Sequence, residues 1–324
     1  LMFTDSERVW RKKSRGDYWL LDRTSRELRQ LGGDAPPSSL QFGKISPTGR
    51  HVAYVRERNI YVEDLLDHSI RPVTTSSAET VFNGTFDWVY EEELRIRDGF
   101  RWSPDGGAIA YWQFDESGVR EHTIVDNVSG LYPKITQFAY PKPGQQNASC
   151  RIGVAEIKTG ETRWMEIPGD PRNHYLARMD WAANSQEIVV QQLNRAQDRN
   201  RVMLADRHDG SVTTILTEED PAWVSVHNEM KWVRDGAAFT WISDRDGWRH
   251  IYLVSRDGKE TACLTPGEFD VTRLLRVDDS NEWVYFIASP DNPTQRYLYR
   301  VGLDGSNLAR LTPVSEEQGT HSYS

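Results

Sequence analysis

Short runs of alternating apolar and polar residues, separated by tight-turn sequences, recur along the chain. The first well-formed copy is GKISPTGRHVAYVRERNIYVEDLLDHSIRPVTT from Gly43, and the second opens FRWSPDGGAIAYWQFDES at Phe100. Later copies begin MDWAANSQEIVVQQL at Met179, MKWVRDGAAFTWISDRDGWRHIYLV at Met230 and LLRVDDSNEWVYFIASPDNPTQRYLYRVGLDGSNLARLT at Leu274. GDYWLLDRTSRELRQL, from Gly16, reads as the second half of a unit, and the closing GTHSYS resembles the opening of another. Period-2 alternation, β-branched and aromatic enrichment and Asp-Gly or Asn-Ser turns predict hairpins, and nothing calls for a long helix. A repeat of about 40 to 50 residues with about four strands is the signature of a β-propeller blade. A β-sandwich does not explain recurrence at that period. The expected fold is therefore all-β, a propeller of four-stranded antiparallel blades over residues 1–324, with about six blades or parts of blades here and seven or eight in a longer parent.

Two stretches interrupt the period. One, residues 78–99, holds DWVYEEEL, and the other, residues 128–150, holds SGLYPKITQFAYPKPGQQNASC. Insertions in a repeat fold go to its rims, where loops carry binding groups, so both are functional candidates.

Composition narrows the partner. With 39 Lys and Arg against 48 Asp and Glu the net charge is −9, which argues against a nucleic-acid backbone and for a cationic or amine-bearing ligand. No run reaches the roughly 18 apolar residues of a membrane helix, and the N-terminus lacks a signal-peptide pattern. Cys150 and Cys263 stand without CxxC spacing, so buried free thiols are the expectation, with one disulfide as the alternative. Nothing calls for a cofactor or a metal. Asn83, Asn127 and Asn147 open glycosylation sequons that act only in a secreted eukaryotic protein. Trp223, Trp232, Trp241 and Trp248 read as blade packing rather than a carbohydrate platform.

The charge run carries the chemistry. An isolated EEE is ordinarily a solvated face, but Asp87 stands where it caps a short helix, with Tyr90 supporting it, and glutamates suit a helix N-terminus. Consecutive helical residues are about 100° apart, so Glu91, Glu92 and Glu93 cannot all point one way, yet two neighbours can flank one ligand. Two close carboxylates disfavour each other's ionised form unless a cation lies between them. Such a pair suits an ammonium, and hard-cation sites draw on wider spacings.

DWVYEEEL, FRWSPDGGAIAYWQFDES, YPKITQFAYPKPGQQN and the later ISDRDGWRHIYLV together resemble the N-terminal propeller of the dipeptidyl peptidase IV family, in the prolyl oligopeptidase superfamily. The resemblance spans essentially the whole chain. It implies that Glu92 and Glu93 bind the free α-ammonium of a peptide substrate, with Glu91 as their neighbour, and that residues 131–143 form an arm used in homodimer contacts. It further implies a serine exopeptidase releasing Xaa-Pro or Xaa-Ala dipeptides, whose nucleophile sits in a C-terminal α/β-hydrolase domain of the same parent chain. A propeller arginine that holds the substrate carbonyl is also implied, and Arg29 is the nearest candidate. No Gly-x-Ser-x-Gly elbow occurs in the chain, so by itself it is expected to be inactive. A periplasmic or secreted setting is expected, with the cytoplasm as the alternative. The competing function is a non-catalytic propeller that only binds proteins.

Overall fold

Alternation along the strands turns each repeat into a small antiparallel sheet. The structure, a computed structural model, describes residues 1–76, 78–313, 319–321 and 323. The chain divides into two compact units, Leu1–Arg195 with Leu204–Val212, and Ala196–Met203 with Thr213–Ser324. Strands Arg199–Asp206 and Val212–Glu219 are shared out between them.

In the first unit, the repeat at Gly43 forms strands Leu40–Ile45, His51–Arg56, Asn59–Asp64 and Ile70–Pro72, paired in chain order. Val52 and Tyr54 enter one core with Leu31 and Leu40. Ala53 and Val55 enter another with Phe100, Ile109 and Tyr111. Successive strand residues point to opposite faces, and here both faces are covered. A blade strand therefore reads as a short continuous apolar run, as HVAYV does.

That sheet continues toward the N-terminus. Arg15 and Gly16 pair with Gln41 and Leu40, joining strand Lys13–Leu21, which is flanked by Met2–Arg8 and Leu28–Gln30. The partial unit thus starts earlier than Gly16. Met2–Arg8 shows no alternation because nearly all of its side chains are exposed.

The next blade comprises Phe100–Trp102, Ala108–Asp115, Ser149–Glu156 and Thr162–Trp164, and its edge gains strand Val81–Asn83 through the pairing of Phe114 with Phe82. The second insertion is a two-stranded hairpin, Glu121–Asp126 against Lys134–Ala139. It opens ahead of the expected boundary at 128, while 149 and 150 already belong to the blade. Strands His174–Trp181 and Glu187–Asn194 follow as an antiparallel pair.

In the second unit, Lys231–Val233, Ala238–Ser243, His250–Ser255 and Thr261–Cys263 form one four-stranded sheet. Val271–Asp278, Trp283–Ala288, Tyr297–Gly302 and Ala309–Arg310 form another, and Ile242, Ile251, Phe286 and Val301 lie in a core common to the two. Of the closing stretch, Thr320 bridges to Arg296, and positions 322 and 324 lie outside the described residues.

Several sequence expectations need amendment. Trp241 is fully buried, but Trp223 and Trp248 are exposed, so they are not blade packing. Both cysteines are free, Cys150 buried and Cys263 only half-buried. Asn83 and Asn147 are buried, leaving Asn127 as the exposed sequon asparagine.

Candidate functional site

The chain leaves the sheet after Asn83 and returns at Phe100. At the neck of this excursion the Gly99 N–H donates to the Gly84 carbonyl at 3.0 Å. A Cβ on Gly99 would lie 2.5 Å from the Gly84 carbonyl carbon, so the neck closes only with glycine there.

Inside it, Trp88–Glu92 makes a single helical turn. Asp87, in extended conformation, is its N-cap, its carboxylate accepting from the Tyr90 N–H at 2.9 Å. Phe86 stacks on Tyr90 at 5.7 Å and meets Trp112 edge-on at 5.0 Å, and Tyr90 meets Phe114 at 4.8 Å. The buried Tyr90 hydroxyl accepts from the Leu176 N–H at 2.9 Å. A turn too short to persist alone is thereby fixed by tertiary packing. The same burial pushes the Asp87 carboxyl up to about 7, against the Tyr90 N–H that favours its ionised form.

The three glutamates have three environments. Glu91 is buried and its Oε1 accepts from Arg97 Nε at 2.9 Å. Burial raises its carboxyl, and Arg97 opposes the rise. Glu92 is partly buried, and both of its oxygens accept from Arg11 Nε, at 2.7 and 2.5 Å. Glu93 is exposed, caps the helix C-terminus, and donates its N–H to the Val89 carbonyl at 2.8 Å.

Arg11 is the residue that sequence reasoning missed. It lies in the loop joining strands Met2–Arg8 and Lys13–Leu21, in front of the helix. Arg29 is elsewhere. It pairs with Glu63, whose other oxygen accepts from the Gly32 N–H at 2.9 Å and the Tyr54 hydroxyl at 3.4 Å. Arg29 is therefore part of a blade network, and the arginine that meets Glu92 is Arg11, as Arg97 meets Glu91.

Chemically, Glu92 offers lone pairs beyond those that Arg11 occupies. The Arg11 side chain is 72% exposed, so its terminal N–H groups face outward. The pair presents an anion and a hydrogen-bond fork side by side, the donor set for an ammonium next to a carbonyl.

Blade-type antiparallel sheets, one of them interrupted between strands Val81–Asn83 and Phe100–Trp102 by an acidic, arginine-braced helix, define a β-propeller. The whole chain, residues 1–324, matches the family model described as the dipeptidyl peptidase IV (DPP IV) N-terminal region, and the chain belongs to that family. It is 32% identical over 332 residues to a probable dipeptidyl peptidase 4 of Aspergillus fumigatus, covering 98% of this chain and 42% of the relative. It is 31% identical over 345 residues to a probable dipeptidyl-aminopeptidase B of Aspergillus oryzae, covering 98% and 38%. Porphyromonas gingivalis dipeptidyl peptidase 4 superposes with a TM-score of 0.89 at 29% identity, over 98% of this chain and 44% of that one. A putative dipeptidyl aminopeptidase IV from Bacteroides ovatus, at 21% identity and a TM-score of 0.75, shares the fold. The chain thus spans less than half the length of these relatives.

Proposed function

We propose that this chain is the substrate-gating propeller of a serine dipeptidyl peptidase, binding the N-terminus of a peptide and presenting its second residue to an α/β-hydrolase domain of the same parent. Glu92 and Glu93 receive the α-ammonium, and Arg11 takes the role of the carbonyl-holding arginine. The observation that carries this reading is the Arg11–Glu92 pair, formed across 81 residues of chain with its guanidinium left open to ligand.

Anchoring the ammonium at a fixed distance from a nucleophile measures out two residues, which yields dipeptides. An acylated N-terminus brings no cation and leaves the carboxylates desolvated and unpaired, a mismatch that costs about four decades of specificity where binding sites are built on such polar contacts. The α-amino group has a pKa of about 8, so substrate is bound as the cation at neutral pH and activity falls as pH rises above 8. The test is hydrolysis of a free-amine dipeptidyl amide by the full-length protein and its Glu92→Ala and Glu93→Ala variants. Both variants should lose dipeptide release while unfolding as the parent does. Near-parental kcat/KM in both would overturn the assignment.

A further inference from the structure

The hairpin Glu121–Asp126/Lys134–Ala139 has two chemically different parts. Ile124, Val125, Val128, Leu131, Tyr132 and Ile135 are exposed along its outer reach. Its base carries rings that are half-buried, and these rings touch the amine receptor's supports. Tyr140, just past the returning strand, lies 4.3 Å from Trp88, ring centre to ring centre. Phe138, two residues earlier, meets Trp10 edge-on at 5.0 Å. His122, paired with Phe138 across the hairpin, completes the cluster at 5.4 Å from Tyr140 and 6.0 Å from Phe138. The Tyr140 N–H donates to the Arg120 carbonyl at 2.9 Å and ties the base shut.

The two tryptophans belong to different pieces of chain. Trp10 immediately precedes Arg11, and Trp88 begins the turn that ends at Glu92. One ring cluster therefore grips both halves of the Arg11–Glu92 pair. The pair needs such a grip, because an ion pair with an exposed arginine holds its own geometry weakly, whereas aromatic pairs at these centroid distances are directional contacts.

We infer that the base of this hairpin is the positioning element of the amine receptor, with Phe138 and Tyr140 fixing Trp10 and Trp88 and thereby the placement of Arg11 against Glu92. The inference rests on the proposed ammonium-binding role of Glu92. Loosening the receptor weakens binding of substrate and transition state alike, so it raises KM and leaves kcat in place.

The experiment uses the full-length protein and a free-amine dipeptidyl amide, with light scattering on every variant to record its oligomeric state. Phe138→Ala with Tyr140→Ala should raise KM about tenfold with kcat within about twofold. Tyr140→Phe alone, which keeps the ring, should retain the parental KM. If the double variant does not fold, Phe138→Leu removes the ring with a smaller loss of volume and supplies the same measurement. A folded variant with parental KM overturns the inference. So does an equal KM rise in Leu131→Ser with Tyr132→Ser at the hairpin tip, since that assigns the effect to association. Glu92→Gln separates the two ideas. Loss of activity there with unchanged KM in the ring variants sinks only the positioning role, and parental activity there sinks both.

Discussion

Among the glutamate–arginine pairs of the first unit, Glu63–Arg29 and Glu92–Arg11 look alike on paper and differ in their surroundings. Glu63, on strand Asn59–Asp64, is fully buried, and besides Arg29 it takes the Gly32 N–H and the Tyr54 hydroxyl. Glu92 is partly buried, and its partner Arg11 is 72% exposed. Every lone pair that Glu63 can use is turned inward, so it serves the blade. Glu92 keeps acceptor capacity beside a solvent-facing fork, so it can serve a ligand. Residue type does not separate the two roles, and saturation by internal partners does.

The sharpest way to break this contrast is to remove both carboxylates in turn and read activity and stability together. On the proposed role of Glu92, Glu92→Ala removes charge-assisted hydrogen bonds to the substrate cation, each worth about 1.5–3 kcal/mol. In the full-length protein kcat/KM should fall on the order of a thousandfold, while the urea midpoint of the folded chain barely moves. Glu63→Ala should do the reverse. It strands Arg29 and orphans a backbone N–H, costing about 3 kcal/mol of stability, with KM of the remaining folded protein unchanged. A stability loss for Glu92→Ala as large as that for Glu63→Ala would erase the distinction.

How much of this was legible follows from where each contact's partner lies in the chain. The blades could be read because their determinants are local: alternation within HVAYV and a turn a few residues away. The Asp87 cap was local too, three residues from the N–H it accepts. Arg11 was not legible, since its partner is 81 residues distant and the strand leading to it, MFTDSER, is exposed and unpatterned. Arg29 lies near the family pattern in the chain, and its partner in the fold, Glu63, is 34 residues away. Trp223 and Trp248 show the same weakness in another form. Aromatic identity suggests a core, and only the completed loops determine that these two face outward.

A smaller effect sharpens the contrast inside the motif itself. The Asp87 carboxyl is pushed up to about 7 by burial, well above its ordinary value near 3.9. A raised carboxyl binds its proton more tightly in the folded state, so its stabilising share is complete below about pH 4 and is lost as pH rises through 7. Asp87→Asn keeps an oxygen to accept from the Tyr90 N–H and removes the titration. Above pH 8 that variant should be more stable than the parent by about 1–3 kcal/mol, and near pH 4 the two should coincide. Parallel stability–pH curves for the two proteins would show that Asp87 is not the titrating group.

The smallest expected effect isolates Arg11. If the Arg11–Glu92 pair serves the ligand rather than the fold, Arg11→Ala should change unfolding free energy by less than about 1 kcal/mol, the usual range for a pair with an exposed arginine. Raising salt to about 1 M, where electrostatic reach shortens to about 3 Å, should weaken this pair at a stability cost no larger than that, because the pair contributes so little. The same substitution should still raise KM for a dipeptidyl substrate, since it removes the fork offered to the carbonyl and the brace that aims Glu92. Stability and KM therefore move independently at Arg11 and together at no residue of this pair. A stability loss for Arg11→Ala matching that for Arg29→Ala would put Arg11 in the same structural class as the blade arginine and leave the glutamate helix without its ligand-facing donor.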